Sequence, residues 1–291
     1  MFHVKDTVCL PGELSRPCED AVGFGENYCF VIDGASVLSK VNIVDESSDA
    51  AWFAGQLKER LCRRLQSDVK TPTETILEEI IRELHGEYCR AAAEKGIREP
   101  GDSPSAGIAL FRRVEERIEF FGLGDCTGAA ELTDGTISLF KDASLAVLDG
   151  SVLKKMKELH RQTGISVLEA RAACNNLLLE NRMKRNREGG YWILDLSGDG
   201  IGHGVKASWP AASLKTFFAC SDGFAQLVDT FEVYPDYGTL LDAVRDTSLA
   251  ELCGRLFEAQ DQDPQANRFP RFKLRDDTSC LWGIPGDVCQ L

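Results

Sequence analysis

Residues 29–32, Cys-Phe-Val-Ile, run without a polar break into Asp33 and Gly34. An apolar run with no alternation predicts a strand buried on both faces, which requires a layer of structure on each side of it. Gly34 marks the turn at its end, and Asp33 stands at the strand tip. A single Asp-Gly is ordinary turn chemistry. Here, however, carboxylates recur at the ends of other apolar runs. Asp125 closes FFGLGD, and Asp222 closes TFFACSD and is again followed by Gly. Asp276-Asp277 stands directly before TSCLWG, and Glu19-Asp20 directly before AVGF, taken as the first strand. In an antiparallel sandwich successive strand ends and starts fall at one edge, so these acids are expected to converge there.

The remaining pattern supports such a sandwich. DAVGFGENYCFVID reads as a hairpin turning at Glu26-Asn27. Phe53, Leu57, Leu61 and Leu65 make the stripe of a first helix capped by Ser or Asp at 47–49. Ile76, Ile80, Leu84 and Tyr88 make a second, with Thr73 as N-cap and Gly96 at its end. Strands follow in SAGIALFRR, RIEFFGLGD and a hairpin folded at Asp134-Gly135. From about 150 to 188 the chain reads as polar helix, then YWILDLS and SLKTFFACSD as strands. Leu240, Leu241, Val244, Leu249, Leu252 and Leu256 lie on a further helical stretch, and DTSCLWGIP closes the chain as a strand. Strict β-α alternation is missing, so the expected class is α+β: an antiparallel β-sandwich with helices on both outer faces, four layers in all. With no repeat and no low-complexity linker, residues 1–291 are expected to form a single domain.

Composition narrows function. The net charge of −13, from 46 acidic against 33 basic residues, repels polyphosphate backbones and argues against a nucleic-acid binder. No apolar stretch approaches the ~20 residues that a membrane span requires, and the start lacks the pattern of a secretory signal. Four histidines are few for a zinc hydrolase. The 11 cysteines are odd in number, spread out and often set in apolar runs such as those of Cys29, Cys220 and Cys280, which fits reduced thiols and a cytoplasmic location. Carboxylates crowded at one sandwich edge repel one another unless cations intervene. An all-oxygen donor set suits magnesium or manganese, and two such ions can activate water against a phosphate ester.

These residues resemble the motifs of the metal-dependent serine/threonine phosphatases of type 2C. Glu19-Asp20-Ala21, Asp33-Gly34, Gly124-Asp125-Cys126, Ser221-Asp222-Gly223 and Asp276-Asp277-Thr278-Ser279 follow the order of that family's acidic motifs across nearly the whole chain. The resemblance implies a phosphoprotein substrate and two manganese or magnesium ions, with a third loosely held. It implies that Asp33 bridges the pair and that the Gly34 carbonyl binds one ion. Asp222 and Asp276 complete a shell and, with Asp33, make up the catalytic set. Asp20 is counted with the metal-facing acids and, like Glu19, holds ligand waters; Asp277 stands behind the ligands. Asp125, with Asp222, matches the third-ion position. Arg16 lies where the family often has a phosphate-binding Arg, one residue short of its usual spacing.

The chain also departs from the family. Asp33-Gly34 is followed by Ala-Ser rather than by the His proposed as general acid, Cys126 replaces a Ser, Asp277 replaces the common Asn, and a helical, flap-like insert at about 145–190 diverges. Other signals point less far. Asp195–Gly200 imitates an EF-hand start but has Lys206 where the closing Glu belongs. GDGIGHG reads as a mobile loop near the site, with His203 exposed on it, and Arg182, Lys184, Arg185 and Arg187 read as a solvated helix end, with docking of an acidic phosphoprotein as the alternative. The expected function is metal-dependent hydrolysis of phosphoserine or phosphothreonine in proteins. The competing expectation is a catalytically weak, phosphatase-like regulatory or phosphoprotein-binding module.

Overall fold

The strand expected around Cys29–Ile32 is Tyr28–Ala35, and both of its faces are buried. Phe30 and Ile32 pack outward against helices, whereas Cys29 and Val31 point inward toward a second sheet. The computed structural model describes residues 1–38, 41–98 and 102–286. Numbered in chain order, the strands are β1 (Phe2–Leu10), β2 (Ala21–Phe24), β3 (Tyr28–Ala35), β4 (Ser105–Val114), β5 (Arg117–Leu123), β6 (Thr127–Leu132), β7 (Ile137–Phe140), β8 (Leu194–Asp195), β9 (Val205–Pro210), β10 (Leu214–Cys220) and β11 (Thr278–Pro285). One sheet runs β1-β11-β10-β6-β7 and the other β2-β3-β4-β5-β9, with the short β8 beside β4. Every strand pairing in both sheets is antiparallel.

Strand alternation makes three layers of core. Phe2, Val31, Phe111, Phe120, Phe217 and Leu281 fill the space between the sheets. Helices α1 (Asp49–Ser67) and α2 (Thr73–Glu94) cover the second sheet through Phe53, Leu57, Leu61, Ile76, Ile80 and Leu84. Helices α6 (Asp222–Asp229), α7 (Tyr237–Asp246) and α8 (Leu249–Asp261) cover the first through Phe224, Leu240, Leu241 and Leu252, against Phe218 and Cys220. The four-layer α+β sandwich expected from the pattern is the fold. Among the described residues no helix is long and apolar enough to cross a membrane.

Several local expectations are corrected. Residues 2–10 form a full strand, so AVGF is the second strand and not the first. Pro72, not Thr73, precedes α2, and no side chain caps that helix; Pro suits this place because its missing N–H has no partner to lose. YWILDLS contributes only the two residues of β8. GDGIGHG contains a 3₁₀ turn, Ile201–His203, that lies against α2, with the exposed His203 ring stacked on Trp192. Residues 144–182 fold into α3 (Ser144–Thr163), α4 (Val167–Ala173) and α5 (Asn175–Arg182), which share a small core of Val152, Met156, Val167 and Ala170 with Ala266.

The start of α1 links fold to site. Ser48 caps the helix by accepting from the Ala51 N–H at 3.2 Å and donates its own hydroxyl to Glu19 Oε1 at 2.6 Å. Removing a cap costs about 1 kcal/mol and a hydrogen bond to a charge adds to that. Ser48→Ala is therefore expected to lower stability by about 2 kcal/mol in urea denaturation; an unchanged midpoint would contradict this double role.

Candidate metal centre and active site

Asp33, Asp125 and Asp222 each place a carboxylate oxygen within 4.8 Å of the others. The end of β3, the loop between β5 and β6 and the start of α6 bring them together. Asp33 ends the buried part of β3 and lies opposite Gly107 of β4. A side chain at Gly107 would meet Asp125 Oδ1 at 2.7 Å, so the bare backbone there makes room for that carboxylate beside Asp33. Asp222 begins α6, and its N–H donates to Asp33 Oδ2 at 3.0 Å. Gly223 follows because its Cα faces the Asp277 carbonyl, where a Cβ would stand only 2.0 Å away. β10 and β11 are then joined past their last rungs: the Ser221 N–H donates to the Ser279 carbonyl, and the Ser279 N–H to Ser221 Oγ, each at 2.9 Å.

The two acids before β2 are buried and held differently. Glu19 accepts from Ser48 and Ser36, and the Gly34 N–H donates to its carbonyl at 3.1 Å. Asp20 accepts from Ser279 Oγ at 2.7 Å, while its Oδ1 is buried with no hydrogen-bond partner. An orphaned carboxylate oxygen whose charge is felt by Asp33 can receive a cation or a cation-bound water. Asp277 spends both oxygens on the backbone, accepting from the Gly12 N–H at 2.7 Å and the Glu19 N–H at 2.6 Å, and so clamps the loop between β1 and β2. Asp276 is ion-paired with Lys273 at 2.6 Å. Arg16 is exposed and shares a small cleft with Glu19, Lys273, Asp276 and Asp277. A roomier cleft of about 480 Å³ opens between the start of α2 and strands β4, β5 and β9, and none of these acids lines it.

Electrostatics reflect the crowding. Removal from water, then the charges of Asp222, Asp20, Asp125 and Asp276, push Asp33 well above the usual carboxylate range. Burial, with Asp276 and Asp125, moves Asp222 to about 7; burial, with Asp149 and Asp276, moves Asp125 to about 6. Burial is also the main reason that Asp20 is raised.

Three contributors were not anticipated. Asp149 on α3 is pushed to about 7 by burial and the charge of Asp222. Arg182, expected on a solvated helix end, reaches into the fold and donates to Ser105 Oγ at 3.1 Å and the Ser36 carbonyl at 3.2 Å. Lys273 brings an ammonium among the acids; desolvation works against its charge, but Asp276, Asp222 and Glu19 raise its pKa above the usual lysine range. No motif marks these residues, because their placement depends on how the insert and the approach to β11 pack. Arg185 is likewise internal, paired with Asp195 at 3.1 Å and Asp102 at 3.6 Å, whereas Arg187 is exposed. Asp195 Oδ1 also accepts from the Ser197 N–H at 2.9 Å, a turn rather than a calcium loop.

The raised carboxyl groups set the sign of the pH dependence. A carboxyl whose pKa is higher in the folded than in the unfolded chain stabilises the fold below its unfolded value and loses that contribution as pH rises through the folded value. With Asp125 at about 6 and Asp222 and Asp149 at about 7, against 3.8 unperturbed, the metal-free protein is expected to lose stability between about pH 4 and pH 7. Thermal melts in chelator across that range check this, and a rising midpoint would contradict it.

Residues 14–256 match the family model described as Protein phosphatase 2C. The fold is similar to a serine/threonine phosphatase PstP/Ppp of Mycobacterium tuberculosis, at 15% identity over 98% of this chain and 99% of that one, with a TM-score of 0.55. It is similar also to Stp1 of Staphylococcus aureus, at 14% identity over 99% and 96% with a TM-score of 0.54. PppA of Pseudomonas aeruginosa matches at 13% identity over 98% of each chain with a TM-score of 0.55. No curated protein matches the chain. The family match takes in four of the five acidic motifs, Asp276-Asp277 lying beyond its end, and the likeness of fold spans both sheets. The chain belongs to the protein phosphatase 2C family.

Proposed function

We propose that this protein is a metal-dependent phosphatase that hydrolyses phosphoserine or phosphothreonine in proteins. The observation that carries the reading is the convergence of Asp33, Asp125 and Asp222 within 4.8 Å at one sandwich edge. The donor set fits hard cations: it is made of oxygen alone, it includes the partnerless Asp20 Oδ1, and its acids bear raised pKa values that bound cations relieve. Asp33 would hold both ions of a pair, with the Gly34 carbonyl, Asp222 and Asp276 beside it. Asp125 and Asp222 would hold a third, with the charge of Asp149 acting on both. A related PstP catalytic domain in complex with two manganese ions, 14% identical with a TM-score of 0.55, supports the choice of metal.

When bound, divalent cations supply an activated water and neutralise charge gathering on the phosphoryl oxygens. The chain's own groups do the rest. Glu19, fixed by Ser36 and Ser48, and Asp20, fixed by Ser279, orient water at the inner wall. Arg16 and Lys273 border the same cleft and offer cationic donors to a phosphate monoester. With no His after Asp33-Gly34, the seryl or threonyl oxygen takes its proton from solvent.

One observation favours a second reading, a phosphatase-like binding module with little turnover: Lys273 already neutralises Asp276, so a cation at Asp276 must displace an ammonium. Calorimetry with manganese and phosphate release from a phosphopeptide, on one preparation, separate the two. The enzyme is expected to release phosphate only with manganese or magnesium. Asp33→Asn and Asp222→Asn are each expected to cut turnover by at least about 100-fold while remaining folded. Full activity in excess chelator would contradict the metal mechanism, and tight manganese binding without phosphate release would favour the module.

A further inference from the structure

Cys9 and Cys18 lie with their sulfurs 3.8 Å apart. Cys9 is exposed on β1 and Cys18 is half-buried in the loop that leads into Glu19 and Asp20, whereas Cys29, Cys126, Cys220 and Cys280 are buried in the core. A disulfide needs about 2.05 Å between sulfurs, so a modest rotation of two side chains, one of them at the surface, closes the gap. The chain joining them is short. It is pinned to the sandwich by Asp277 through the Gly12 and Glu19 N–H groups. Neither cysteine belongs to the metal-ligand set.

The pair is wired to the acids by direct contacts. The Cys9 thiol donates to the Asp20 carbonyl at 3.6 Å. Cys9 is also the cross-strand partner of Ser279, whose hydroxyl holds Asp20 Oδ2 at 2.7 Å. Forming an S–S bond removes the thiol hydrogen from Asp20 and draws Cys18, two residues before Asp20, toward β1. Both changes alter the seat of Glu19 and Asp20.

We infer that Cys9 and Cys18 form a peroxide-responsive disulfide site that weakens divalent-cation binding at the neighbouring acids. Cys9, the exposed sulfur, attacks a peroxide oxygen; the O–O bond breaks, Cys9 becomes a sulfenic acid and one water leaves. Cys18 then attacks the sulfenic sulfur, the S–S bond forms and the second water leaves. One hydrogen peroxide is reduced by two electrons, each sulfur gives up one, and both thiol protons end in water. A dithiol reverses the reaction. The loss in affinity rests on the metal reading proposed above, whereas the disulfide itself does not.

The experiment reads the two separately. The reduced, metal-free protein is treated with hydrogen peroxide, alkylated, digested and mapped by mass spectrometry, and its manganese-induced thermal shift is titrated before and after. The expected result is a peptide linking Cys9 to Cys18 while the buried Cys29, Cys126, Cys174, Cys220, Cys253 and Cys280 stay reduced. The half-saturating manganese concentration should rise about tenfold, the usual size of a lost contact behind a metal ligand. Dithiothreitol should restore it, and Cys9→Ser and Cys18→Ser should bind manganese normally and ignore peroxide. Sulfinic acid at either position, a link to another cysteine or a link between two chains would overturn the disulfide site. A Cys9–Cys18 link with an unaltered manganese titration would overturn the coupling. Absence of any manganese shift in the reduced protein would instead overturn the metal reading and with it the coupling, leaving the mapped link to decide the site alone.

Discussion

Repulsion among carboxylates at the edge of the sandwich is the constraint on which the site depends. Asp33, Asp125 and Asp222 stand within 4.8 Å of one another, with Asp20 behind them and Asp276 and Asp149 beside them. Left in water such groups would separate. Here the strands that carry them are buried on both faces, and moving one acid away would mean shifting Phe30 and Ile32, or Phe217 and Phe218, out of packed layers. The hydrophobic layers therefore hold the acids where electrostatics alone would not.

Local backbone chemistry makes the crowding tolerable. The Asp222 N–H at the start of α6 gives Asp33 a hydrogen bond at the end of a helix that favours negative charge. Gly107 and Gly223 let loops approach to distances that a side chain would forbid. Lys273 and Arg182 bring positive charge to the same edge from segments outside the strand-end motifs.

The most legible features of the sequence were those governed by short-range periodicity. The unbroken run Cys29–Ile32 announced a strand between two layers, and Asp134-Gly135 announced its hairpin. Glu19-Asp20, Asp33, Asp125 and Asp222 could be gathered at one edge because strand ends in an antiparallel sheet share an edge. β1 escaped because FHVKDTVCL mixes charged and apolar residues at the rim of its sheet, with a register shift between Val4 and Asp6 that breaks the alternation. Asp149 and Lys273 escaped for a different reason. Each is an ordinary surface residue by pattern, and only the packing of α3 and of the approach to β11 turns it toward the acids. Arg182 and Arg185 looked like a solvated cluster, since nothing local reveals that Ser36, Ser105, Asp102 and Asp195 wait as partners.

Asp33 is held at a cost to the metal-free fold that a bound cation would offset. The most direct measurement compares the thermal stability of the natural protein and Asp33→Asn in chelator and again in manganese. Asp33→Asn is expected to be the more stable of the two in chelator, since one crowded charge is gone, and manganese is expected to stabilise the natural protein while leaving the variant nearly unmoved. A variant that is less stable in chelator yet gains as much from manganese would show that Asp33 serves the fold and not a metal ion.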